Sequence, residues 1–227
     1  MFRFLFDPDN RFGRATGRIA VVVISNVLFL VCCIPVITIG ASYSALCYTL
    51  MKTLRSRNPG NTAKNFFHAF KLNFKQSTIS WLLTIAFYIF LWLDIYWCRM
   101  AGGLLSYLEP ALWVIGGAGL VTVLYLFSVI AAFENTLKNL LRNAGVFAAR
   151  KPLMSLIILT INAVPVTMAV LDRVNGPTYA FVYFFAGFSI QTYVTVWLQL
   201  KQYHLYLPPA EEDEPTENGP TYVGTER

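Results

Sequence analysis

Charge is what this sequence has least of. Asp, Glu, Lys and Arg together make up 13% of its 227 residues, about half the share of an average soluble domain. With 56% hydrophobic and 15% aromatic content, that shortage argues against a soluble globular fold. Histidine is scarcer still: His68 and His204 are the whole supply, far apart in sequence and flanking apolar runs. No HExxH, phosphate-binding glycine loop or GxSxG is present, and no nucleophile and base can be paired. The chain is therefore expected not to be an enzyme and to carry no catalytic, cofactor or metal site. Cys32, Cys33, Cys47 and Cys98 show no CxxC spacing and sit mostly in apolar runs, as packing residues do.

What the chain has instead is long apolar runs, and their number defines the fold. The first, Ile19 to Met51, holds 33 residues, which as one helix would reach roughly 50 Å, whereas a bilayer core needs only about 20 residues. A signal peptide does not fit, because the 18-residue lead carries Asp7 and Asp9 and the run is too long. Pro35 and Gly40 are where a reversal is expected, with Thr38 and Ser42 able to bond the backbone groups freed there. A kinked helix with a re-entrant end is the alternative.

Placement of Lys and Arg argues for the reversal. With the N-terminus inside, two crossings keep the segment bearing Lys52, Arg55, Arg57, Lys64, Lys71 and Lys75 on the same side as Arg3, Arg11, Arg14 and Arg18. All of the 18 basic residues except Arg99 and Arg173 then lie inside, as the positive-inside tendency favours. The expected architecture is an all-α polytopic membrane protein with six transmembrane helices in three hairpins. Its spans fall near 18–34, 36–54, 77–98, 110–133, 152–171 and 178–200, forming one membrane domain over 1–207 with both termini cytoplasmic.

Two further segments read as cytoplasmic amphipathic helices lying in the interface. In "NTAKNFFHAFKLNFK", Phe66, Phe67, Phe70 and Phe74 recur at helical spacing; in "ENTLKNLLRNAGVFAARK", Leu137, Leu140, Leu141, Ala144 and Ala148 do so. Both lead into a span, and aligning Lys75 with Arg150 hints at a duplicated unit. The basic residues Arg14, Arg18, Lys64, Lys71, Lys75, Arg142, Arg150 and Lys151 are expected to meet anionic lipid headgroups, not nucleic acid. From Pro208 to Arg227 the chain is rich in Pro, Gly and acid, the composition of a disordered cytoplasmic tail.

Candidate polar residues at membrane depth are few. Asp94 lies about one turn from the outer end of its span, with Arg99 five residues on as its expected ion-pair partner. Glu134 is spaced to pair with Lys138 at i+4. Asn26, Asn162 and Gln191, with Thr192, either line a path for a sugar-sized solute or bond helices to one another. Gly116, Gly117 and Gly119 suit close packing of the fourth span.

The opening "FRFLFDPDNRFGRATGRIA", then "LFLVCCIPVITIGAS" and "FFHAFKLNFKQST", resembles the YesL family of bacterial membrane proteins, a group of unknown function common in Firmicutes. The resemblance covers the chain to about Leu207. No activity or functional residue is established for that family, so none carries over. Its members often stand beside genes for carbohydrate uptake and breakdown, which implies a role in saccharide utilisation at the bacterial plasma membrane. The expected function is a non-enzymatic accessory to a sugar ABC importer, with importer subunits and the bilayer as partners. A small carrier or channel for saccharides or other small solutes is the alternative.

Overall fold

The computed structural model describes residues 11–56, 60–172, 174–203 and 206–207, with the side chains of 11–15, 104–106, 170 and 180 left aside. The expected disordered tail, His204, Arg3, Arg57, Arg173 and Arg227 lie outside the described residues, as does the side chain of Arg14. Among the described residues every regular element is helical. We number the helices α1 (Arg11–Cys32), α2 (Ile39–Arg55), α3 (Thr62–Ala101), α4 (Glu109–Ala132), α5 (Leu137–Arg150), α6 (Pro152–Leu171), α7 (Gly176–Val182) and α8 (Phe188–Tyr203). A π-helical turn, Tyr183–Gly187, joins α7 to α8. By length and composition, four stretches can cross a membrane: α3, α4, most of α6, and α7 through α8. The apolar part of α1, Thr16–Cys32, is shorter.

The long apolar run does break at Pro35. α1 ends at Cys32, a 3-10 turn occupies Val36–Thr38, and α2 begins at Ile39. Pro35 has no N–H to continue a helix. The Thr38 hydroxyl lies 2.6 Å from the Cys32 carbonyl oxygen, left over where the helix stops, and 2.7 Å from that of Pro35, which also accepts from the Thr38 N–H. On either side of the break Phe29 and Tyr43 meet edge to face at 6.3 Å, while Arg18 and Leu54 line one hollow.

α2 is the central helix, and its small residues explain why. Gly40, Ala41, Ser42, Ser44 and Ala45 are all buried, which lets neighbouring backbones approach as apolar side chains larger than these would not. At Gly40 the approach is closest: a β-carbon there would stand 2.6 Å from the Ser77 carbonyl oxygen and 2.7 Å from Trp81 Cβ. One side of α2, through Leu46, Leu50 and Ala45, packs with Phe29, Phe66 and Ala69. The other side, through Cys47 and Met51, joins Tyr125, Val129, Leu140, Phe147, Val196 and Tyr203.

α3 departs from the expected arrangement. The segment 61–75 is not a separate helix in the interface, but the first part of one helix of 40 residues, about 60 Å long. Nothing between Lys75 and Ser77 can stop a helix, because Gln76 brings neither proline's missing donor nor glycine's freedom. Asn61 caps its start by accepting from the Lys64 N–H at 3.2 Å. It stops at Gly102 and Gly103, whose φ of 63° and 61° lie in the left-handed region natural to glycine. α2 lies along the first half of α3: Lys52 Nζ donates to Asn65 Oδ1 at 3.0 Å, and Trp81 Nε1 donates to the Val36 carbonyl at 2.9 Å. Phe66 therefore faces protein and is fully buried, whereas Phe67 and Phe74 are exposed.

α5 behaves as a short amphipathic helix. Leu140, Ala144 and Phe147 are buried, while Leu141 lies outside the buried stripe and is exposed. Proline near the start of α4 and of α6 marks both onsets.

Candidate functional site

The candidate site is a polar crossing where α1 and α6 meet the π turn and α8. A π turn leaves main-chain carbonyls off the regular ladder, and in an apolar setting they need donors from elsewhere. Asn26 supplies them. Its Nδ2 donates to the Tyr183 carbonyl at 3.1 Å and the Phe184 carbonyl at 2.7 Å, while its Oδ1 accepts from the Ser189 N–H at 3.0 Å. The residue is fully buried, and its carboxamide matches donors to acceptors on both sides of the turn. Gly187 allows the turn to close over the Tyr183 ring, 2.8 Å from where a β-carbon would be.

A second relay continues from there. The Tyr183 hydroxyl donates to Gln191 Oε1 at 2.9 Å, Gln191 Nε2 donates to Asn162 Oδ1 at 2.9 Å, and Asn162 Nδ2 donates to Thr195 Oγ1 at 3.1 Å and the Ile158 carbonyl at 2.8 Å. The structure thus gathers Asn26, Asn162 and Gln191 around one stretch of chain. It does so by bonding them to protein. Every member is neutral, so the relay offers hydroxyl and amide partners and no charge to carry.

Toward the other end of α8 lies a third group. Ser155 Oγ donates to the Tyr125 hydroxyl at 3.2 Å, Gln202 Nε2 donates to the same hydroxyl at 2.9 Å, and the Ser128 and Tyr203 hydroxyls are 2.9 Å apart. Gln199 Nε2 donates to the Leu124 carbonyl at 3.1 Å. Around Tyr203 the rings of Phe133, Phe147 and Tyr206 complete an aromatic cluster that docks α5. The sequence reading missed this group. The signal was available: Ser189, Thr192, Thr195, Gln199 and Gln202 recur at helical spacing inside an apolar run, and all five are buried.

The charged candidates fall elsewhere. Arg99 does not pair with Asp94; it bonds Glu109 across the turn between α3 and α4, and Trp113 Nε1 donates to the same carboxylate at 3.2 Å. The short turn after Gly103 brings Glu109 to Arg99, while Asp94 remains half-buried on α3. Glu134 sits in the non-helical link after α4, exposed, so no shared helix holds it over Lys138. Lys64, Lys71 and Lys75 are exposed on α3, and Arg142, Arg150 and Lys151 on or beside α5. Arg150 reaches the Tyr206 hydroxyl and lies 5.7 Å from its ring centre. Arg18 is exposed at the rim of the hollow beside Leu54. Outside the apolar stretches, Asp172 accepts from the Asn175 side chain at 2.8 Å and its N–H at 3.2 Å, and from the Tyr179 hydroxyl at 3.0 Å. Those bonds, Asn175's first, hold its carboxyl below the usual aspartate range.

The family described as "Protein of unknown function, DUF624" matches residues 22–95, a stretch that holds the break at Pro35, all of α2 and most of α3. No curated protein and no solved structure matches the chain.

Proposed function

We propose that the chain is a non-enzymatic accessory protein of the bacterial plasma membrane, of the YesL type, that assists a sugar ABC importer. The carrying observation is the use of its polar groups. Asn26, Asn162 and Gln191, the residues best suited to line a solute path, are bonded to protein at distances of 2.7 to 3.1 Å. Such bonds favour a rigid scaffold over a moving carrier, because each would have to break and be replaced during passage. The exposed face of α5, with Lys138, Arg142 and the apolar Leu141 and Val146, offers a contact surface for a partner subunit. The alternative, a saccharide carrier or channel, would use the same neutral hydroxyl and amide groups after opening.

Topology belongs to the same proposal: six crossings, both termini cytoplasmic, with α1 and α2 forming the first hairpin. The contacts between Phe29 and Tyr43, and the shared hollow of Arg18 and Leu54, support the α1–α2 hairpin. The contacts of Val36 and Gly40 with Trp81 and Ser77 favour instead the re-entrant alternative, because they put the Pro35 turn where the crossing expected over 77–98 begins. Cysteine introduced at Ile37 is expected to label from outside and cysteine at Asn61 only from inside; the reverse result would refute the topology.

Reconstitution separates the two functions. Purified protein in liposomes is expected not to move labelled oligosaccharide, and in cells it is expected to co-purify with an importer subunit. Transport by the chain alone, abolished by Gln191→Leu, would refute the accessory reading.

A further inference from the structure

Beside the first and last long helices lies a recess that the polar crossing does not use. Arg18 of α1, Leu54 of α2, and Tyr193, Val194, Trp197 and Lys201 of α8 line one open hollow of about 700 Å³. Two cations from opposite ends of the chain therefore border the same hollow, and none of the lining residues is acidic. The rest of the wall is apolar or aromatic, and Trp197 is 46% exposed within it. Lys201 Nζ stands 3.5 Å over the Trp197 ring centre, which steadies the ammonium at the rim by the attraction of a cation to the ring face.

The depth of the recess fits a headgroup. Lys201 is next to Gln202 and Tyr203, which bond Tyr125 and Ser128 in the last two turns of α4. The hollow thus lies where α4 and α8 both end. At such a level tryptophan and tyrosine favour the membrane boundary, and lysine and arginine meet lipid phosphates.

We propose that this recess binds one anionic glycerophospholipid, its phosphate between Arg18 and Lys201 and an acyl chain along Leu54, Val194 and Trp197. The amphipathic wall decides against the chain's own acidic segment as occupant. "PPAEEDEPTENGP", residues 208–220, could answer the two cations but offers no large apolar side chain to the wall.

The test is native mass spectrometry of the full chain released from nanodiscs containing equal phosphatidylglycerol and phosphatidylcholine. One retained phosphatidylglycerol per chain is expected, in preference to phosphatidylcholine. Two charge-assisted contacts make the expected loss in the Arg18→Gln, Lys201→Gln double variant about tenfold or more. The charge-keeping Arg18→Lys, Lys201→Arg variant should retain the lipid, and Lys64→Gln, Lys71→Gln should behave as the parent chain. Equal retention of both lipids, or an unchanged double variant, would overturn the proposal. So would loss of lipid in the charge-keeping variant when its melting temperature is normal. A variant with Glu211→Gln, Glu212→Gln, Asp213→Asn and Glu214→Gln should also match the parent; if lipid is retained only there, the acidic segment is the occupant and the proposal fails.

Discussion

Asn26 and Ser189 are separated by 163 residues of chain and joined by a hydrogen bond of 3.0 Å from the Ser189 N–H to Asn26 Oδ1. With the bonds from Asn26 Nδ2 to the Tyr183 and Phe184 carbonyls, one side chain ties the first helix to the irregular turn in the last. Asn26→Leu removes all three bonds and leaves those main-chain groups without side-chain partners in an apolar setting. A loss of about 1–3 kcal/mol is expected, read as a lower unfolding midpoint in detergent. Asn26→Asp should be worse, because a carboxylate would face two carbonyl oxygens. If Asn26→Leu melts like the parent chain, the turn is held by something other than this residue.

The close approach at Gly40 gives a second expectation. A β-carbon there meets backbone and Trp81 Cβ at 2.6–2.7 Å, atoms that cannot swing aside, whereas at Gly117 nothing lies within 4 Å. Gly40→Ala should therefore force α2 and α3 apart, at about 1–3 kcal/mol as for other overpacked sites. Gly117→Ala should be neutral or stabilising by up to about 1 kcal/mol through helix propensity. Paired thermal melts decide the matter. Equal effects at the two positions would mean that the α2–α3 contact is looser than the distances indicate.

How much of this could be read from residues alone depends on whether the signal was local. Spans expected at 110–133 and 152–171 correspond to helices Glu109–Ala132 and Pro152–Leu171, because proline near each start and the length of each run are local features. The break near Pro35 was legible for the same reason. Continuity of α3 was not: helical spacing of phenylalanines is the same in a helix lying on a membrane and in one packed against a neighbour. Only tertiary contact distinguishes buried Phe66 from exposed Phe67. In the site, Asn26, Asn162 and Gln191 stood out because amides are rare in apolar runs. Their partners did not, since two are main-chain carbonyls of a π turn that no residue pattern announces. Arg99 was assigned to Asp94 by nearness in sequence, and the turn at Gly102 and Gly103 brought Glu109 closer.

Docking of α5 on the bundle depends on Tyr203, whose ring lies 4.8 Å from that of Phe147 and 5.6 Å from that of Phe133. Its hydroxyl meets Ser128 at 2.9 Å. Tyr203→Phe keeps the rings and removes one bond, so a loss of about 0.5–1.5 kcal/mol is expected. Tyr203→Ala removes the rings' shared contact as well, and about 3–5 kcal/mol is expected for emptying an aromatic site. Hydrogen exchange across Leu137–Arg150 should rise far more in the alanine variant. If exchange in α5 is unchanged there, the aromatic cluster does not hold the helix.

The final prediction concerns acid, and its sign follows from Asp172. Bonds from Asn175 and then Tyr179 favour the charged carboxylate, so its folded pKa lies below the ordinary aspartate value. A group depressed in this way stabilises the fold fully above its unfolded pKa, and that contribution is lost as pH falls through the folded value. Local order between Asp172 and Tyr179 should therefore be constant near neutrality and decline in the acid range below the usual aspartate pKa. Hydrogen exchange at the Asn175 amide, corrected for its intrinsic pH dependence, reads this directly, since that N–H donates to the carboxylate at 3.2 Å. Asp172→Asn should raise exchange at neutral pH and remove the acid dependence. Acid dependence that persists in Asp172→Asn would place its origin in another group.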